Sequence, residues 1–338
     1  MNKKDIEIFR KAFAPKPIRL EQPPWSEEDL SQAYFRNQAL TMRKIESRPG
    51  AIFSNAIEAL DLSVALFKDT IEALLTSIDT FRHKSQEGDF DFRVNRFEQE
   101  RYQLAVRRNL FSASAAAMAL VHHTLTVQKK LKIAGYQERI DQDFRYQTDH
   151  LLIQGLRNCV LKARLLPADW QTTITYGEGN ETRFFLRKSV LLSYRRWPGT
   201  VKKYINELDY GVNLEELFLA YRDRVVAFHA WYRDAIELTG GWALKEFREY
   251  QRIIKGIGWK SSYQILLHIA RSKKIDPFEY LNKFLSPDKI KYVKSTKDLK
   301  QQVDRIIEVL DEYKACDSSL RSEVYQLFGL PPSPPPRS

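Results

Sequence analysis

Within residues 151–162, Arg157, Asn158 and Lys162 stand among Leu151, Leu152, Ile153, Leu156, Val160 and Leu161, and no other stretch combines these features. Side chains of this kind handle phosphate. A guanidinium can hold two phosphate oxygens at once, and an ammonium acts as a point charge. A lysine of ordinary pKa, about 10.4, is protonated at neutral pH, so Lys162 supplies charge and cannot accept a proton. At 100° per residue, His150, Arg157 and Arg164 share one face of a helix at intervals of seven. His150 would stand about 10 Å from Arg157 along the axis. On the opposite face Leu152, Leu156, Cys159, Ala163 and Leu166 follow 4,3,4,3 spacing and form a core stripe. A helix apolar on both faces is either sandwiched between neighbours or buried between two copies of the chain. Gly155 costs such a helix about 1 kcal/mol relative to alanine, which is tolerable where something must approach the backbone closely.

The segment Arg157-Asn158-x-x-x-Lys162 resembles the R-polar-x-x-x-H signature of the HEPN superfamily, all-helical proteins that include metal-independent ribonucleases. The resemblance extends over about residues 95–235 in the order of its parts. The pair His123-Thr124 precedes Leu156-Arg157-Asn158, which is followed by Leu166-Pro167 and a β-hairpin. Cleavage of RNA by its own 2′-hydroxyl needs a base, an acid for the leaving oxygen, and cations for the phosphorane charge. The resemblance implies that Arg157, Asn158 and Lys162 occupy the catalytic positions, with Arg164 beside them as an RNA contact. It also implies a site built across a homodimer, with no metal and no other cofactor. Lysine at 162 replaces the histidine that transfers the proton, so the expectation is RNA binding with weakened or lost nuclease activity.

Prolines map the elements that would position these residues. Four lie in the first 24 residues and five in the last eight, and none lies between Pro49 and Pro167. That interval predicts uninterrupted helices, divided at Gly88 and Gly135. The first spans about 51–82, where Phe53, Ile57, Leu60, Val64, Phe67, Ile71, Leu74, Ile78 and Phe81 alternate 4,3 in a coiled-coil-like seam. The second spans about 94–132 and repeats Phe97, Leu104, Phe111, Met118 and Leu125 at sevens. Arg101, Arg108, His122 and Lys129 run alongside as a cationic flank. The third, about 143–166, carries Arg157. Ser26 with the acids at 27–29 predicts a capped helix start. Thr, Ile, Tyr and Phe on either side of Gly177-Glu178-Gly179-Asn180 predict a hairpin over about 171–188. Residues 181–205 carry seven cations against the single acid Glu181, a net +6. Asn213, with Glu216 three residues on, caps a helix over 213–238.

A second constellation lies at 254–266. Gly256-Ile257-Gly258 between apolar residues resembles a helix-hairpin-helix turn, which offers backbone N–H groups to a nucleic-acid phosphate, with Lys260 adding charge. The whole chain has 338 residues, 43% hydrophobic, with a net charge of +11, so a sizeable core is expected together with an acidic partner such as nucleic acid. Two cysteines, Cys159 and Cys316, are too few for a disulfide framework, and neither begins a C-x-x-C. The six histidines are scattered, so no metal site is expected. Phosphate-loop and dinucleotide glycine motifs are missing from the sequence. Its first residues are charged and its longest quiet run, 110–121, is short, so a cytoplasmic location without membrane attachment is expected.

The sequence therefore predicts a mainly α protein: a HEPN-like helical bundle with an inserted β-hairpin and a C-terminal helical region. The expected boundaries are an arm at 1–24, the HEPN-like domain at 25–239, a helical region at 242–330 and a proline-rich tail at 331–338. The leading expectation is RNA binding by a homodimer. A non-catalytic, antitoxin-like scaffold meeting a protein partner is the first alternative, and DNA binding through the turn at 254–266 is the second.

Overall fold

The long proline-free interval does form helices. The computed structural model describes residues 20, 22–86, 96–162, 168–175, 179–273, 276–281 and 284–332. In order these form α1 (Glu27–Arg36), α2 (Gln38–Glu46), α3 (Pro49–Gln86), α4 (Arg96–Leu131), α5 (Tyr136–Ile140), a π-helical turn (Asp141–Arg145) and α6 (Thr148–Lys162). Then follow β1 (Ala168–Thr175), β2 (Gly179–Arg187), α7 (Lys188–Ser193), α8 (Gly199–Glu207), β3 (Gly211–Asn213) and α9 (Leu214–Ser272). Four helices complete the chain: α10 (Pro277–Leu281), α11 (Pro287–Lys294), α12 (Leu299–Leu310) and α13 (Ser318–Leu327). The fold is mainly α with one small antiparallel sheet, ordered β1-β2-β3. Most of the expected arm, most of the proline tail, Gly88 and the residues at 176–178 lie outside the described residues.

The chain divides into two compact units. One combines Met1–Ala51 with Trp242–Ser338, and the other is the continuous segment Ile52–Gly241. One passage between the units falls at Gly241. Gly241 has φ 45° and ψ −125°, torsions that interrupt α9 and that glycine adopts at low cost. Residues 25–51, expected to belong to the HEPN-like domain, join the C-terminal region instead. The reason is long-range packing. Trp25 stacks on Tyr250 with ring centroids 5.1 Å apart and donates its backbone N–H to the Tyr250 hydroxyl at 2.9 Å. Leu30, Ala33 and Ile45 share a core with Phe247, Ile253 and Ile254. Arg48 pairs with Glu246 at 3.0 Å. A Cβ on Gly50 would lie 2.0 Å from the Ala243 carbonyl oxygen, so only glycine lets these two segments meet. Ser26 caps α1 through a reciprocal box with Asp29, as the sequence predicts.

Within the 52–241 unit, α3 buries Ile57, Leu60, Phe67, Ile71, Leu74, Ile78 and Phe81, so its seam packs as expected. Helix α4 runs antiparallel beside it. The Asn109 amide donates to the Ala73 carbonyl at 2.9 Å, and the Ser63 hydroxyl meets His123 Nδ1 at 2.7 Å. The stripe at sevens on α4 faces outward: Phe97 is 88% exposed and Leu104 63%. Both α3 and α4 are long and apolar enough, by length and composition, to cross a membrane. A core helix of a bundle has the same properties, and 39% and 50% of the two apolar windows are buried inside the protein. Strands β1 and β2 pair from Ala168↔Leu186 to Thr175↔Gly179. They lay Trp170 and Phe184 against Phe81 at centroid distances of 5.1 and 4.8 Å. Strand β3, too short to show as a pattern of residues, extends the hairpin through Leu186↔Val212. Asn213 caps α9, accepting from the backbone N–H of Glu215 at 3.0 Å.

Candidate functional site

Helix α6 is the element on which the expected site rests. Its residues Leu152, Ile153 and Leu156 are fully buried, so over 152–156 both sides of the helix are covered within the chain itself. Part of that cover is Trp197, whose indole nitrogen donates to the Leu191 carbonyl at 2.6 Å and fixes the ring. A Cβ on Gly155 would stand 2.1 Å from Trp197 Cζ3. The glycine is thus explained by a tryptophan pressed on the helix backbone. Over 152–156 the two-faced pattern follows from packing inside the protomer.

The backbone of Arg157, Asn158 and Lys162 is helical, in the last turns of α6. Their side chains, and all of Arg164, lie outside the described residues. Helix α8, at the end of the basic segment expected from the sequence, packs against α6. Arg195 and Arg196, just before α8, and Lys202, on it, are exposed and take no ion-pair partner among the described residues. Other cations nearby are engaged. Arg187 pairs with Asp169 at 2.8 Å, and the Lys188 ammonium donates to the carbonyls of Asn206 and Leu208 at 2.6 and 2.9 Å.

The start of α6 contributes to a different feature. His150 and Gln154 line a cavity of about 170 Å³ together with Thr124, Tyr136, Phe144, Tyr221, Phe228 and His229. His150 was expected as a face-mate of Arg157. It lies instead against aromatic rings, 4.8 Å from Phe144 and stacked 5.8 Å from Tyr221. Burial lowers its pKa to about 4, with opposing influences from Asp149 and Arg224, which pair at 3.2 Å. His229 is 9% exposed, and burial lowers its pKa to about 4 as well. Both imidazoles are therefore neutral near pH 7. Burial also raises the Tyr221 phenol above its ordinary range.

Hydrogen bonds assign the two tautomers. The Gln154 amide nitrogen lies 2.8 Å from His150 Nε2, so the amide donates and the ring proton sits on Nδ1. The Thr124 hydroxyl donates to the Leu120 carbonyl at 2.8 Å. Its oxygen, 3.5 Å from His229 Nε2, then accepts from that ring, leaving His229 Nδ1 as a bare acceptor. Both Nδ1 atoms are buried and have no hydrogen-bond partner among the described residues. One is an orphan donor and the other an orphan acceptor. Thr124 was marked in the sequence as part of the His123-Thr124 pair; His123 itself points to Ser63. His229 belongs to no sequence motif; its one signal is a polar residue between Phe228 and Tyr232 in an apolar run.

The second constellation is corrected by the structure. Residues 254–266 contain no turn: Gly256 and Gly258 are helical residues inside α9, whose non-helical torsions fall at Gly241. Gly256 serves close packing, since a Cβ there would lie 3.0 Å from the Ala315 side chain. Buried Ile253, Ile254 and Leu267 hold the helix together across the glycines. Lys260 pairs with Asp317. The hairpin that would have held DNA is therefore not formed. Among the described residues no cluster of three metal-ligating side chains occurs. No family model, curated protein or solved structure matches this chain.

Proposed function

We propose that the 52–241 unit is a HEPN-like RNA-binding module of the cytoplasm, acting as a homodimer, in which nuclease activity is weakened or lost. The observation that carries this reading is the set of exposed cations Arg195, Arg196 and Lys202, without an ion-pair partner among the described residues, on the segment whose Trp197 and α8 pack against α6, the helix that bears Arg157, Asn158 and Lys162. Unpaired surface cations release counterions from a nucleic-acid backbone without first breaking an ion pair. Lys162 adds charge without proton transfer, which separates binding from cleavage. The test is RNA affinity across a salt titration. Replacing Arg195, Arg196 and Lys202 with alanine should reduce the slope of log affinity against log salt by about 2, at about 0.7 per phosphate contact on a single strand. An unchanged slope removes the reading. In the same assay Lys162→His should restore measurable cleavage, and sedimentation should report a dimer.

The exposed face of α4 favours a second reading, a protein-interaction scaffold. Phe97, Leu104 and Leu125 are exposed beside Arg101, Arg108 and Lys129, a combination suited to an acidic amphipathic helix. A second copy of α4 would set cations against cations. Binding to such a partner that persists at high salt, and is lost with Leu104→Ser, supports the scaffold over the RNA module.

A further inference from the structure

Pro331, Pro332, Pro334, Pro335 and Pro336 lie close together after Leu330. A proline-rich segment holds the polyproline II conformation before it binds anything, makes no internal hydrogen bonds, and docks on aromatic-lined grooves. We infer that residues 333–338 dock in an aromatic cavity of their own unit, with the prolines against Trp259 and Tyr263. The chain then carries a proline-recognition site closed by its own tail.

The cavity belongs to the unit that combines Met1–Ala51 with Trp242–Ser338, and the RNA-binding proposal does not use it. Residues of α9, α10, α12 and α13 line a volume of about 180 Å³; an apolar cavity of about 150 Å³ is enough for benzene. Trp259 and Tyr263, one turn apart on α9, hold their rings 4.3 Å apart at 35°. Leu320 and Val324 of α13, with Phe328 just after it, add apolar wall. Leu266, Ile269 and Phe284 also line the cavity and are exposed, so it opens to solvent. The indole N–H of Trp259 and the Tyr263 hydroxyl bring donors to this wall, and a polyproline chain has only carbonyl acceptors to offer. Glu312 is near enough to Tyr263 to act on its phenol. It is exposed and takes no ion-pair partner among the described residues, which leaves a counter-charge for Arg337.

The path of the chain brings the tail there. Helix α13 ends in a Schellman motif: Gly329, at φ 73°, donates to the Gln326 carbonyl at 3.1 Å, and Leu330 donates to the Tyr325 carbonyl at 2.9 Å. Leu330 joins a hydrophobic cluster with Ile307, Cys316, Val324 and Phe328, four residues that also line the cavity. Pro331 and Pro332 follow, exposed, and residues 333–338 lie outside the described residues. Six residues of polyproline II cover about 19 Å. The ten residues of α13, which line the cavity from Leu320 to Leu327, span about 15 Å. A tether this short gives a millimolar effective concentration, so weak contacts suffice to keep the site closed.

The experiment follows the six indole N–H signals of the full chain labelled with 15N-tryptophan, at two protein concentrations. Trp259→Phe identifies the signal of interest. Pro334→Ala, Pro335→Ala and Pro336→Ala together keep length and charge, and they should shift the Trp259 signal equally at both concentrations. A chain stopped after Pro332 should show the same shift. Free peptide of sequence 330–338, added to that shortened chain, should return the signal saturably at millimolar concentration. Three results overturn the inference. A Trp259 signal that ignores the loss of the prolines means that the tail does not reach the cavity. A free peptide that leaves the shortened chain unchanged means that the cavity does not recognise proline. A shift that depends on protein concentration means that the tail of a second copy is the occupant. The tail changes fall after Pro332, beyond the residues of the hydrophobic clusters, so folding is not at stake. The outcome is independent of the fate of the RNA reading.

Discussion

Helices α3 and α4 lie side by side in the same unit, and both display an apolar repeat in the sequence, yet only one repeat is buried. On α3 the large residues alternate 4,3 and make the core, with Phe67, Ile71 and Leu74 fully inaccessible. On α4 the large residues recur only at sevens and face outward, while Val106, Leu110, Ala113, Ala117, Leu120, Thr124 and Val127 are buried. That second set follows 4,3,4,3,4,3 spacing, the same rule as on α3. A strict single file at sevens covers too narrow a line to seat a helix in a core, whereas the alternating pattern covers a face. Spacing, more than side-chain size, told which face goes inside. Small residues on α4 also let neighbouring elements close in, and Ala117 and Thr124 border the cavity that holds His150 and His229.

The contrast can be broken at several points. Removing a large side chain from the α3 seam has the greatest expected effect: Phe67→Ala should cost about 3–5 kcal/mol in urea unfolding. Acid reaches the polar groups that the small residues of α4 cover. The two histidines have folded pKa values lowered to about 4 from 6.5, so the unfolded chain binds more protons between those limits. Stability is therefore complete above about pH 6.5 and declines as the pH falls toward 4, by roughly 3 kcal/mol for each histidine. Unfolding midpoints measured from pH 7 to pH 4 should show this, and His229→Phe should flatten the slope. Overpacking the small face with Ala113→Leu should cost about 1–3 kcal/mol. Leu104→Ser, on the outward file of α4, should change stability by less than about 0.5 kcal/mol. A large loss at Leu104 would mean that the outward file is covered in solution, and the contrast between the helices would then disappear.

Local features were legible in the sequence because they depend on neighbours. The capped start at Ser26, the α3 seam, the hairpin and the Asn213 cap each follow from a few adjacent residues. Gly155 was read as a point of close approach, and Trp197 is what approaches. What escaped reading depends on distance along the chain. Trp25 meets Tyr250 across 225 residues, and no local pattern could assign 25–51 to the C-terminal unit. Gly256 and Gly258 resemble a turn because glycine permits turns, but at 256 it permits Ala315 to pack close. His229 belongs to no motif, and its role depends on Thr124, on another helix.

The meeting of Gly50 with Ala243 has a consequence for the order of folding. The chain leaves one unit at Ala51, spends 190 residues in the other, and returns at Trp242. Bringing Gly50 to Ala243 therefore closes a loop of that length, which for a flexible chain costs roughly 4–5 kcal/mol in entropy. If 52–241 folds first, the flexible loop is replaced by a body whose ends are already fixed, and most of that cost is removed. On that order of events the inserted segment would template closure of the flanking one. Lesions such as Phe67→Ala should slow assembly of Trp25 onto Tyr250, whereas Trp25→Ala should leave the folding rate of 52–241 unchanged.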